Sequence, residues 1–323
     1  MRQERGNSLK GLELSRKFYE ELVRPMLEKG FSGLLPYLAV GLAGSGSECL
    51  GYDDEISADH DFEPGVCIFL PGEDVVSRRD AFLLERAYDK LPREFMGFRR
   101  SLLPPAGAAR HGVIRTADFF LDKTGTPDGE LNPEEWLSLD EQYLLEATNG
   151  EIFFDGYGEV TRIRKALSML PEDIRLKKMA GALFLMGQAG TYNYPRCIAH
   201  GEPAAAQLAL SEYVRAALHL GHLMAGRYMP YYKWAFRSFR ELNSHLAHQA
   251  FADTLEKLLL TGNTPEEAEE KTAILRKIEE ETAGLLRMRG FISPETCFEN
   301  ASFELNDRVK DPGIRNLDIL AGA

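Results

Sequence analysis

Residues 44–61 read GSGSECLGYDDEISADHD, and the interpretation of this stretch decides the fold. It follows an apolar run, Leu34 to Leu42 (LLPYLAVGL), that predicts a short buried strand. Gly44, Ser45, Gly46 and Ser47 then form a loop of small residues, Gly51 a turn, and an acidic cluster closes on Asp59-His60-Asp61. A second apolar run, Val66 to Leu70, follows. If Asp59 and Asp61 enter that second strand, a period of two places both carboxylates on one face and His60 on the other. Six acids lie between Asp53 and Glu63, and like charges so crowded repel one another unless a cation sits among them. A glycine-serine loop whose backbone N–H groups can hold phosphate, beside a carboxylate pair that can hold Mg²⁺, reads as a nucleotide-metal site.

Working outward, 323 residues exceed one typical domain, so two domains are expected. Hydrophobic content of 44% and charged content of 27% describe an ordinary globular chain. No apolar run reaches the length of a membrane span, and MRQERGNSLKG has no signal-peptide core. The four cysteines, Cys49, Cys67, Cys197 and Cys297, are widely spaced with no CxxC, which points to a reducing cytoplasm. A formal net charge of −12 argues against a nucleic-acid partner and for a small molecule or protein as acceptor.

Gly46-Ser47, Gly51 five residues after Gly46, and then Asp59-x-Asp61 together resemble the polymerase-beta-type nucleotidyltransferases. Here Ala58 separates Ser57 from the first aspartate. The wording GSGSECxGxDDEIS-x-DHDF is more specifically similar to domain of unknown function 4037. So are EEWLSLDEQYLLEATNGEIFFD (134–155), RCIAHGE (196–202) and RYMPYYKWAFRSF (227–239). The resemblance implies an α+β fold, in which a small mixed sheet with flanking helices precedes an all-helical bundle. It also implies metal-dependent transfer of a nucleotidyl group from an NTP to an acceptor it does not name. Asp59 and Asp61 would hold Mg²⁺ or Mn²⁺, while Gly46, Ser47 and Glu48 would contact the NTP phosphates. A third carboxylate is expected from the region of His111 to Phe120, where the candidate is Asp118 and the alternation also offers Arg115.

Elsewhere the periodicity predicts helices over 8–30 and 73–91, a loop over 92–109 that crosses the sheet edge, and a third strand over 111–120. Asn132, Pro133 and Glu135 announce a helix that stops at Asn149-Gly150. Helices are then expected over about 158–170, 172–193, 203–227, 231–262 and 265–289, the last opened by the Thr264–Glu267 capping box. The boundary falls at Asp155, giving a nucleotidyltransferase-like domain over 1–155 and a helical domain over 156–323.

Other signals are weaker. No GxxxxGK[ST] or complete GxGxxG is present, and His60-Asp61 lacks the earlier histidine that a metal phosphohydrolase needs. The pairs His219/His222 and His245/His248 share helix faces, but without Glu-x-x-His partners they read as core or surface histidines. Tyr192, Tyr194, Tyr228, Tyr231, Tyr232 and Trp234 concentrate around Arg196, Arg227 and Lys233. From them, Arg196 and Lys233 are expected to face Asp59 and Asp61 across a cleft and to bind phosphate or an anionic acceptor. Two other functions share the pattern: a catalytically inert nucleotide sensor or scaffold, and a toxin-like enzyme that modifies protein or tRNA.

Overall fold

The structure, a computed structural model, describes residues 9–54, 63–100, 111–242 and 248–323. The chain divides into two compact units. The first comprises residues up to Glu130 together with Tyr143–Ser168, and the second comprises Leu131–Gln142 and Met169–Ala323.

In the first unit, helices α1 (Gly11–Phe18) and α2 (Arg24–Gly30) are joined by a π-helical turn over Tyr19–Val23. The predicted strand over 34–42 is shortened to β1 (Ala39–Leu42), because Pro36 sits in a 3₁₀ turn over Leu35–Tyr37. The short helix α3 (Ser47–Leu50) follows, then β2 (Cys67–Leu70) and α4 (Arg78–Asp89), which Ser77 caps by accepting from the Asp80 N–H. The loop expected over 92–109 contains a small hairpin, β3 (Glu94–Phe95) and β4 (Phe98–Arg99). Its two turn residues, Met96 and Gly97, have φ of 51° and 85°, as a two-residue hairpin requires.

The third strand is also shorter than expected. β5 (Gly112–Arg115) gives way to helix α5 (Thr116–Thr124), which buries Phe119 and Phe120 and ends at Gly125 in the left-handed region. Alternation alone did not separate a strand continuing to Phe120 from a helix with adjacent aromatics on one side.

The single helix predicted from Asn132 is two: α6 (Pro133–Ser138), with its capping box intact, and α7 (Glu141–Thr148). They are followed by β6 (Glu151–Asp155), a strand to which the periodicity assigned no element, and by α8 (Glu159–Ala166). The sheet order is β5-β2-β1-β6. β1 runs antiparallel to both neighbours (Val40 opposite Ile68 and Phe154), while β2 and β5 are parallel (Ile68 opposite Val113). Val40 and Ile68 pack with Leu14, Phe18, Leu27, Leu84 and Tyr88. Phe69, pointing the other way, meets Phe119 edge-on at 5.2 Å.

The second unit is helical: α9 (Glu172–Met186), a π-helical stretch Gly187–Asn193, α10 (Tyr194–Ala199), α11 (Pro203–Met224), α12 (Tyr232–Glu241), α13 (His248–Leu260), α14 (Pro265–Met288), α15 (Phe298–Asp307) and α16 (Pro312–Arg315). The α+β class and the helical second part agree with expectation. The division at Asp155 does not match the compact units: 156–168 fall in the first and 131–142 in the second. For 131–142 the reason is a buried ionic cluster. Glu141 receives a hydrogen bond from His219 at 2.8 Å and lies 3.8 Å from the Lys178 ammonium, which itself donates to the Leu137 carbonyl at 3.2 Å. Those bonds tie residues 137–141 to α9 and α11. No helix among the described residues is long and apolar enough to cross a membrane.

Candidate functional site

β1 is buried at all four positions and delivers the chain to the glycine-serine loop at the end of the sheet. Gly44 and Gly46 adopt φ of +117° and +132°, conformations that side chains with a Cβ rarely reach. At Gly46 a Cβ would also run into the Glu48 carboxylate. Ser47 opens α3 with no side chain capping it, and Gly51 closes the turn at φ +72°. The predicted loop, with its positive-φ glycines at 44, 46 and 51, is therefore present.

The loop is held from below by residues the sequence did not single out. Asn149 takes the Gly44 N–H at 3.0 Å and gives its own amide proton to the Gly44 carbonyl at 2.8 Å. The Gly150 N–H donates to the Cys49 carbonyl at 2.9 Å, and any Cβ on Gly150 would collide with the Leu42 carbonyl. Arg164 donates to the carbonyls of Thr148 and Asn149, both at 2.7 Å, while its Nη1 is buried with no hydrogen-bond partner. Burial lowers the pKa of this guanidinium. Asn149-Gly150 reads in sequence as a helix stop. Only the β1–β6 pairing reveals it as a clamp, so no linear signal identified it.

The acids divide. Asp53 is 3% exposed and structural, since its Oδ2 accepts the Gly11 N–H at 2.8 Å at the start of α1. Its Oδ1 lies 3.7 Å from the Lys10 ammonium. At least one of the six acids is thus a helix cap. Asp59 and Asp61 lie outside the described residues. Asp118 is not on the third strand but exposed on the first turn of α5, and β5 itself carries no carboxylate. Arg115, the alternative at that position, donates to the carbonyls of Pro71 at 2.6 Å and Val76 at 2.9 Å. Among the described residues no group of three His, Cys, Asp or Glu is placed to hold a metal ion.

In the second unit, Arg196 and Lys233 are not buried and lie over the rings of Tyr192 (5.0 Å) and Trp234 (4.9 Å). The aromatic concentration splits: Tyr194 and Tyr228 are core, whereas Tyr192, Tyr231 and Tyr232 are exposed. His219 belongs to the Glu141 cluster. His222 is buried between the Leu218 carbonyl and the Ser238 hydroxyl, and burial brings its pKa to about 4, so it is neutral.

Comparison with known proteins bears on these regions unequally. Residues 136–235 match the family model for domain of unknown function 4037, so the resemblance to that family holds over this segment. The segment contains the Asn149–Gly150 clamp and the Glu141–His219 cluster, and it begins after the glycine-serine loop. Among solved structures, a nucleotidyltransferase-like protein from Exiguobacterium sibiricum aligns at 11% identity and a TM-score of 0.41, covering 87% of this chain and 78% of its own. No curated protein matches.

Proposed function

We propose that this chain is a metal-dependent nucleotidyltransferase that moves a nucleotidyl group from an NTP to a small-molecule or protein acceptor. The observation that carries this reading is the turn at Gly46: a buried strand, two glycines at positive φ, and an uncapped helical start at Ser47. Such a turn lets backbone N–H groups converge on an anion without a Cβ in the way. Followed by Asp59-x-Asp61 and Mg²⁺ or Mn²⁺, it supplies the parts of an NTP site.

In this reading Gly46 and Ser47 bind the β- and γ-phosphates, and Asp59 and Asp61 hold the metal. The metal, when bound, offsets phosphate charge and favours departure of pyrophosphate. An acceptor oxygen bonds to the α-phosphorus as the α–β bridge breaks, and its proton passes to a base. The Asp118 carboxylate remains the proposed base in that role. Glu48, whose carboxylate stands against Gly46, would meet the phosphates through the cation that offsets its charge, so in this reading NTP binding depends on Mg²⁺ or Mn²⁺. Arg196 and Lys233 are the proposed anion ligands of the second unit.

One observation favours a second reading, an inert nucleotide sensor. β5 carries no carboxylate, so a catalytic third acid has no place on that strand. The two readings part in one experiment. Mg²⁺ with each labelled NTP and a cell extract should give label transfer and pyrophosphate release, both lost in Asp59→Asn and Asp61→Asn. Tight Mg²⁺-NTP binding with no pyrophosphate from any NTP or extract would support the sensor and overturn transfer. A toxin-like activity on protein or tRNA would show itself as label in that fraction.

A further inference from the structure

The two faces of α12 meet different surroundings. Ala235 and Phe239, one turn apart, are buried, and Phe239 packs against the His222 ring at 5.8 Å between centroids. Those contacts dock the helix, and the rings at its start take no part in them. Tyr231 and Tyr232 are 48% and 76% exposed, with centroids 4.2 Å apart at 45°, so one tyrosine braces the other while an outer ring face stays open. The Lys233 ammonium then lies 4.9 Å from the Trp234 ring centre, and Arg237 reaches the same indole at 5.8 Å. From Arg227 to Arg240 the sequence carries four cations and no acid, in a chain whose net charge is −12. Arg240 is taken by Glu256 at 2.7 Å, and Arg237 lies 3.6 Å from Glu241. Arg227 and Lys233 are exposed and make no ion pair among the described residues.

We propose that this face of α12 binds single-stranded nucleic acid, an unpaired base stacking on Tyr232 and the flanking phosphates meeting Lys233 and Arg227. The occupant follows from what the patch offers, which is ring faces and unneutralised positive charge in consecutive residues, Tyr232-Lys233-Trp234. A nucleotide brings a π-face and a negative charge in one unit. An acidic peptide would answer the cations and leave the rings bare, and a duplex keeps its base faces inside its own stack. The charge of the whole chain, which argued against a nucleic-acid partner, does not describe this segment. Lys233 is shared with the anion contact proposed above, but this binding involves neither NTP nor metal. It can therefore fail while the nucleotide reading stands, and the reverse.

The test is fluorescence anisotropy of a labelled oligouridylate of about twelve nucleotides titrated with the full chain, without NTP or divalent cation. The parent should bind saturably, with Kd on the order of 10 µM at about 50 mM salt. With two phosphate contacts, affinity should fall about sevenfold by about 200 mM salt. Tyr232→Ala should weaken binding about fivefold or more at both salt concentrations and leave the salt slope intact, because it removes a stacking face and no charge. Tyr232→Phe, which keeps the ring, should bind as the parent does. Lys233→Gln should roughly halve the salt slope. Both side chains are exposed, so the urea midpoint of each variant should match the parent. A duplex of the same length and poly-L-glutamate should each compete at least about tenfold less well than the single strand. No saturable binding by the parent, undiminished binding by Tyr232→Ala, or an unchanged slope in Lys233→Gln would each overturn the proposal. So would equal competition by the duplex, or by poly-L-glutamate, which would make the partner an acidic protein.

Discussion

The two units bury polar groups differently. In the first, Asp53 and the Arg164 guanidinium are the buried charges beside the candidate site, but the glycine-serine loop itself is held through the amide and carbonyl of Gly44 and the carbonyl of Cys49. In the second, whole charges are buried. Lys177, Lys178 and Lys271 are at most 3% exposed, and Lys177 donates to Asn306 Oδ1 and the Leu317 carbonyl, both at 2.8 Å. A backbone-held loop presents N–H groups with little dependence on pH. Charge-held helices fix which distant segments meet, and they carry the titration behaviour of the fold.

The sharpest way to break this comparison is Glu141→Ala. It leaves Lys178 buried without its counter-charge and should cost about 3–5 kcal/mol, read as a lowered midpoint in urea. A loss below about 1 kcal/mol would mean that the charged cluster does not hold residues 131–142 in the helical unit. Glu141 also sets an acid limit. Burial alone would raise its pKa, but His219 and Lys178 together lower it. Its stabilisation is therefore complete above the unfolded carboxylate pKa and is lost as pH falls through the depressed folded value.

Asn149→Ala comes next. It removes two hydrogen bonds from Gly44 and should destabilise by about 2 kcal/mol, with NTP affinity falling further than stability explains. Unchanged NTP affinity in a folded variant would detach the clamp from the site.

A smaller effect tests the second unit's titration from the alkaline side. Glu279 is buried with Oε1 unpartnered, and burial, despite its bond from Thr191, pushes its pKa up to about 7. A carboxyl whose folded pKa is raised loses stability as pH rises from about 4.5 to 7, since the folded state binds the extra proton. Glu279→Gln should flatten that slope and stabilise at pH 8 by on the order of 1 kcal/mol, discounted for solvent screening. Identical pH–stability curves for variant and parent would contradict the assignment.

Much of this was legible in the sequence because the signals were local. The small-residue loop at 44–47 and the turn at Gly51 were readable from their glycines, and Asn132-Pro133-x-Glu135 and Thr264-Pro265-x-Glu267 announced helix starts that the structure contains. What escaped depends on pairing between distant residues. β6 has five residues and follows the helix stop at Asn149-Gly150 without a strand signal of its own until β1 lies beside it, and that pairing brings Asn149 to Gly44, 105 residues away. The unit boundary escaped for the same reason, since nothing near Glu141 in sequence predicts His219 or Lys178 as its neighbours. Asp118 was misplaced because a strand ending in Phe119-Phe120 and a helix beginning at Thr116 bury the same aromatics.

The central claim, that the Gly46 turn holds a nucleotide, is tested most directly by isothermal titration of Mg²⁺-ATP, GTP, CTP and UTP into the parent and into Gly46→Val. Saturable binding of at least one nucleotide to the parent is expected, with a loss of tenfold or more in the variant, about 1.4 kcal/mol or above, and the fold retained by circular dichroism. Equal affinity of parent and Gly46→Val for every nucleotide, or no binding by the parent at all, would contradict it.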